Sequence, residues 1–184
     1  MSQSPLYLDQ AFQLALKWHA EAVHKGDGLP YLIHPTAVAM MLAKNGFSNE
    51  TIVAGYCHDL LEDTDCPKQE ITDVCGQKVL ETVEALTNDD LLPWEEKKLK
   101  YIELVRNGSV EAKAVCVCDK IHNLRSLITA YEQQGPALWE KFNRGMDKKL
   151  WYERKVSEMS KETWKHELIE VHEGLVEEVE GMEG

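Results

Sequence analysis

A chain of 184 residues with 43% apolar residues is long enough for one well-buried core and short for two. Its formal net charge of −12 excludes a nucleic-acid backbone binder, which carries a basic footprint, and no apolar run is long enough to span a bilayer. Seven of the acids fall after residue 166 with no Lys or Arg among them, which leaves −5 on the rest and room for a basic pocket suited to an anionic small molecule.

The opening MSQSPLYLDQ lacks the basic region and apolar run of a signal peptide, so a cytoplasmic protein is expected. From there Leu8, Phe12, Ala15, Leu16, His19, Ala22 and Val23 describe one face of a helix from about Asp9 to His24, which the glycines and proline of KGDGLP close. In IHPTAVAMMLAKNG, Pro35 suits a first helical turn and Asn45-Gly46 a C-terminal cap, so His34 should sit at the mouth of the second helix. Ser48 can cap a third, from Asn49 to about Asp63, that buries Ile52, Val53, Tyr56, Cys57, Leu60 and Leu61. Two shorter helices follow at Pro67–Cys75 and Lys78–Thr87, and then the polar NDDLLP, a candidate mobile loop that could gate access. A Lys- and Glu-rich helix spans Trp94–Arg106, and Ser109 opens a long one closed by Gln134-Gly135-Pro136. Two more, rich in Trp, complete the chain, and the acidic end reads as a solvated helix terminus that frays. No segment alternates with period two for long, so the expected fold is all-α, a single domain with a motif-bearing core at about 8–131 and C-terminal helices at about 136–180. The five cysteines form no CxxC pair and read as reduced, packed thiols.

Chemistry concentrates in YCHDLLEDTD, residues 56–65. On a continuous helix His58 and Glu62 lie at i, i+4, as do Asp59 and Asp63, so four polar side chains gather on its last turns. Negative charge at a helix C-terminus opposes the macrodipole by a few tenths to about 1 kcal/mol per group, so either this is a solvated acidic end or a positive partner lies near. His34 could supply a second imidazole and Asp119, on the apolar VCVCDKIHNL, a second carboxylate. Two imidazoles and two carboxylates suit a divalent first-row metal, Mn²⁺ best, with Fe²⁺, Co²⁺ or Zn²⁺ as competitors. Glu62 and Asp63 are then placed to manage the proton of an attacking water. His19, His122, His166 and His172 read as structural or surface residues, and the Trp-rich segment as core.

The series His34-Pro35, His58-Asp59, Glu62-Asp63-Thr64 and Asp119 resembles the HD-domain metal-dependent phosphohydrolases, and more narrowly the hydrolase domain of RelA/SpoT-type alarmone enzymes and their small stand-alone relatives. The likeness runs over residues 10 to 128 in five ordered blocks and fades beyond Tyr131. It implies that His34, His58, Asp59 and Asp119 hold the metal, that Glu62 and Asp63 handle the water, and that the 3′-pyrophosphate is removed from a small-molecule nucleotide such as (p)ppGpp. By the same resemblance Asn123 contacts the ribose or 3′-phosphate, Lys120 and Arg125 are charge partners beside it, and Tyr31 and Lys25 lie in the loop that approaches the base. Where the family has Arg-Lys after the first helix, this chain has His24-Lys25, and where it has Val-Lys this chain has Val115-Cys116. These departures fall on substrate recognition and make (p)ppApp a competing substrate. Lys148, Lys149 and Tyr152 are further candidates for phosphate contact. A nucleotide phosphatase acting at the 5′ end, or a metal-bound but silent nucleotide sensor, remain the alternatives. No synthetase domain is evident, and neither a nucleic-acid nor a membrane partner is expected.

Overall fold

In the computed structural model, which describes residues 5–23, 28–89, 91–141 and 144–182, helices account for the architecture and no strand forms among the described residues. One isolated bridge pairs Val23 with Pro30. No described helix is long and apolar enough to cross a membrane.

Helix α1 (Pro5–Trp18) buries Ala11, Leu14 and Ala15 and stops earlier than its apolar pattern predicts. Beyond His19 the pattern loses its partner surface, since Val23 is 62% exposed, and helical propensity alone does not carry a short segment. α2 (Ile33–Lys44) starts with His34 in its first turn, as expected, and ends at Asn45-Gly46, where Gly46 takes φ 75°. α3 (Asn49–Cys57) is capped by Ser48, whose hydroxyl accepts from the Thr51 N–H. The two lie closely side by side because Gly55 has no Cβ: one built there would come 2.7 Å from Leu42 Cδ1 and 3.3 Å from the Ala39 Cα and N.

The single helix expected from Asn49 to Asp63 is broken. His58 ends α3, Asp59 sits in the sparsely populated bridge region (φ −96°, ψ −1°), and a separate turn α4 (Leu60–Asp63) follows. α5 (Lys68–Cys75) and α6 (Gln77–Glu84) are joined through Gly76 at φ 88°, a conformation costly for any side chain. α7 (Trp94–Asn107) leads to α8 (Val110–Gln134), which Ser109 caps by accepting from the Ala112 N–H. α8 runs through the core: Ala114, Val115, Cys116, Val117 and Cys118 are fully buried, and it touches α2, α3, α6, α7, α9 and α10. All five cysteines are buried free thiols.

After a 3-10 helix (Gly135–Lys141), α9 (Gly145–Thr163) and α10 (Leu168–Glu180) pack on each other and on α8. The acidic end does not fray where it is described. It is helical to Glu180, with Val176 and Val179 buried against Leu124, Ile128 and Trp139. Trp139 and Trp164 are core residues, as helical spacing predicts. Between α9 and α10 lies a buried polar chain: Ser157 Oγ is 3.0 Å from His172 Nδ1, His172 Nε2 is 2.9 Å from Glu153 Oε2, and Lys149 donates to Glu153 Oε1 at 2.5 Å. Burial alone would raise the Glu153 pKa, but Lys149 and His172 hold it down to about 2.

Candidate metal centre

Three distant segments converge under the first turn of α2. His34 and His58 are each only 3% exposed, and their Nε2 atoms lie 3.2 Å apart. Asp59 Oδ2 is 3.1 Å from His58 Nε2 and 3.5 Å from His34 Nε2, so the three residues form one group of metal-ligand atoms. From α8, Asp119 Oδ1 approaches His34 Nε2 at 3.1 Å and His58 Nε2 at 3.9 Å. The break at Asp59 makes this possible: on a continuous helix His58 and Asp59 would diverge by about 100°, whereas here both reach the same point.

Each ligand atom is aimed by a second contact. His58 Nδ1 lies 2.9 Å from the Gly55 carbonyl, which can only accept, so Nδ1 carries the proton and Nε2 presents a lone pair. His34 Nδ1 meets His122 Nδ1 at 2.8 Å, which likewise leaves its Nε2 for the site when His34 donates. Tyr31 donates to Asp59 Oδ2 at 2.6 Å and is 2.9 Å from Asp63 Oδ2. Lys120 donates to Asp119 Oδ2 at 2.6 Å and Asn123 Nδ2 to Asp119 Oδ1 at 2.5 Å. Two imidazole lone pairs facing each other at hydrogen-bond distance, flanked by buried carboxylates, need a positive charge between them. The separations of 3.1 to 3.9 Å are those of neighbouring ligands around an ion with bonds near about 2.1 Å. A divalent cation fits. Burial disfavours charge on His58, but Asp59 and Asp119 outweigh it and push its pKa up to about 9. Burial likewise opposes ionised Asp59, yet His58 and His34 hold it down to about 2.

Beside this centre opens a cavity of about 390 Å³ lined by Trp94, Lys98, Lys120, Asn123, Arg144, Gly145, Lys149 and Tyr152. Lys98 and Lys120 lie 5.0 and 5.3 Å from the Tyr152 ring, and the buried Tyr152 hydroxyl has no hydrogen-bond partner among the described residues. Burial and the neighbouring Lys120 lower Lys98 to about 8. Gly145 opens the N-terminus of α9, so backbone N–H groups add to the positive lining. The lining thus carries four cationic side chains, of which Lys120 and Lys149 are also paired with Asp119 and Glu153.

Several sequence expectations are rearranged. Lys120 and Asn123 are at the site, but both also hold Asp119. Tyr31 bonds to the carboxylates of Asp59 and Asp63. Arg125 is not at the site: two positions beyond Asn123 it points some 200° around α8, where it reaches Met41 Sδ and lines a separate groove with Lys44 and Glu167. His24 and Lys25 lie outside the described residues. Glu62 accepts from both nitrogens of Asn88, at 3.2 Å (backbone) and 2.7 Å (side chain). His122 was expected to be structural or at the surface; its spacing of three from Asp119 already puts it on the ligand face of the helix. Lys98 and Arg144 carried no local signal, because only tertiary packing brings α7 and α9 to the mouth of α8.

The HD domain family model matches residues 11–144. The guanosine-3′,5′-bis(diphosphate) 3′-pyrophosphohydrolase MESH1 of Danio rerio is 35% identical over 67% of this chain and 71% of its own length. The bifunctional (p)ppGpp synthase/hydrolase SpoT of Escherichia coli K12 is 32% identical over 65% of this chain, which spans only 18% of that protein. A solved metazoan ortholog of SpoT, described as hydrolysing ppGpp, superposes with a TM-score of 0.82 over 97% of this chain and 98% of its own at 23% identity, so the shared fold continues past the point where the sequence likeness fades. The chain belongs to the HD-domain family, in the group of its MESH1 proteins.

Proposed function

We propose that this protein is a metal-dependent hydrolase that removes the 3′-pyrophosphate from (p)ppGpp. The observation that carries this reading is the convergence of His34, His58, Asp59 and Asp119 beside a lysine- and arginine-lined cavity, in a chain similar to MESH1 along most of the latter's length. Those four residues hold the ion, and Mn²⁺ matches their mixed nitrogen and oxygen donors best. A divalent ion bound there supplies Lewis-acid polarisation of a phosphoryl oxygen and eases deprotonation of water. Water attacks the phosphorus attached to the ribose 3′ oxygen; the new O–P bond forms as the P–O3′ bond breaks, the 3′ oxygen departs with the bonding pair and takes up a proton to become the ribose 3′-OH, and the attacked group is released as pyrophosphate. Glu62 and Asp63 take the water's proton, with Asp63 oriented by its bond to Tyr31. Lys98, Lys120, Asn123, Arg144 and Lys149 bind the phosphates, and their cationic groups offset the charge that develops on the phosphoryl oxygens. By the family resemblance, positions 24 and 25, which lie outside the described residues, are the ones expected to meet the base.

Histidine at position 24, in place of the family's arginine, favours (p)ppApp as a second substrate, since an imidazole stacks on either purine. A Mn²⁺-dependent assay with ppGpp, ppApp, deoxynucleoside triphosphates and nucleoside monophosphates, with products separated by chromatography, tests both. Pyrophosphate and the nucleoside 5′-di- or triphosphate are expected. Orthophosphate alone, or no turnover with any divalent metal, overturns the proposal.

A further inference from the structure

The turn after α6 carries Asn88, which joins the two halves of the site. Its backbone N–H and its side-chain Nδ2 both donate to the same Glu62 oxygen, Oε2, at 3.2 and 2.7 Å. Its Oδ1 accepts from Lys98 Nζ at 3.4 Å, the long end of the hydrogen-bond range. A carboxylate can only accept and an ammonium can only donate, so these two partners together fix which way the amide faces. The other Glu62 oxygen has no hydrogen-bond partner among the described residues. A glutamate on the one-turn helix α4 has three side-chain torsions to lose, and two donors on one oxygen restrict them while leaving Oε1 able to accept a proton.

We infer that Asn88 is a positioning residue: it clamps Glu62 through Oε2, presents Oε1 to the attacking water, and ties that orientation to Lys98 in the phosphate-binding cavity. This role rests on Glu62 acting on the water, as proposed above. It deepens that reading in two ways. The carboxylate is aimed from outside the YCHDLLEDTD stretch, by the loop between α6 and α7. Filling the cavity with phosphate also acts on the clamp, because a phosphate oxygen competes with Asn88 Oδ1 for the Lys98 ammonium.

A double-mutant cycle tests the clamp, with kcat and KM for ppGpp measured in Mn²⁺ and the fold followed by circular dichroism and thermal unfolding. Loss of one charge-assisted hydrogen bond to a group that acts in the transition state predicts that Asn88→Ala lowers kcat by about 10- to 100-fold, with KM changed by less than about threefold. Asn88→Asp keeps the side chain's size but sets a carboxylate against Oε2, so its kcat should fall at least as far; this separates loss of the donor from loss of bulk. In a Glu62→Gln background, under single-turnover conditions, adding Asn88→Ala should cost less than about twofold, because the group it positions is already disabled. A wild-type kcat in Asn88→Ala, or the same fold loss in both backgrounds, overturns the inference while leaving the role of Glu62 intact. Full activity in Glu62→Gln alone overturns the underlying reading and the inference with it.

Discussion

Replacing Gly55 by alanine adds one methyl group where α2 and α3 approach each other. The new Cβ would meet Leu42 Cδ1 at 2.7 Å and the Ala39 Cα and N at 3.3 Å. The leucine methyl can rotate away, but the Ala39 backbone cannot, and carbon contacts relax near about 3.5–4.0 Å, so α2 must retreat by a few tenths of an ångström. Overpacking of this kind costs about 1–3 kcal/mol, and alanine's higher helix propensity returns about 1 kcal/mol. The net of about 1 kcal/mol predicts a Tm lower by about 2–4 °C for a chain of this size. The sharper consequence lies at the metal centre. His34 rides on α2 and His58 ends α3, with their Nε2 atoms 3.2 Å apart, and a site of this kind tolerates only about 0.5 Å of displacement. Titration calorimetry of chelator-stripped protein with Mn²⁺ should show affinity reduced about tenfold in Gly55→Ala, alongside the lower Tm. An unchanged or raised Tm together with wild-type Mn²⁺ affinity would refute the idea that this close approach sets the spacing of the ligands.

Glu153 makes stability depend on pH in the acid range. Its pKa is held from 4.5 down to about 2, so its contribution, on the order of 3 kcal/mol, is complete above pH 4.5 and is lost as pH falls from there towards 2. Urea unfolding across pH 2.5–6 should show that slope, and Glu153→Gln should flatten it; equal slopes in the two proteins would show that Glu153 does not cause it. Because a proton occupies His58 up to about pH 9 in the ion's absence, Mn²⁺ affinity should rise by about tenfold per pH unit below that value, with about one proton released per ion bound near pH 7. Calorimetry in buffers of different ionisation enthalpy reads that proton count, and a count of zero rejects the competition. Asp63→Asn should keep the fold and Mn²⁺ affinity but lose most turnover, and full activity would remove Asp63 from the proton path.

Reading along the chain located the helices well where local chemistry sets them. Ser48 and Ser109 cap where their hydroxyls predict, and Asn45-Gly46 ends α2. It went astray where a neighbour decides. α1 stops early because Val23 stays largely exposed and offers no buried face to extend the helix, and the acidic end stays helical because Val176 and Val179 find partners on α8 and the 3-10 helix. The residues of the candidate metal centre were legible because His34, His58, Asp59 and Asp119 stand in ordered motifs, while the cavity's lysines look like any solvated helix face.

By itself the sequence determined an all-α chain and the residues that meet at the centre, since periodicity, capping and the order of His34, His58, Asp59 and Asp119 are properties of the chain. Tertiary structure alone decided the break that turns Asp59 toward the two imidazoles, the contact of His122 with His34, the separation of Arg125 from the site, and the pairing of Asn88 with Glu62. Each of these depends on which faces of helices far apart in sequence come together, and that is set by the packing of the whole core.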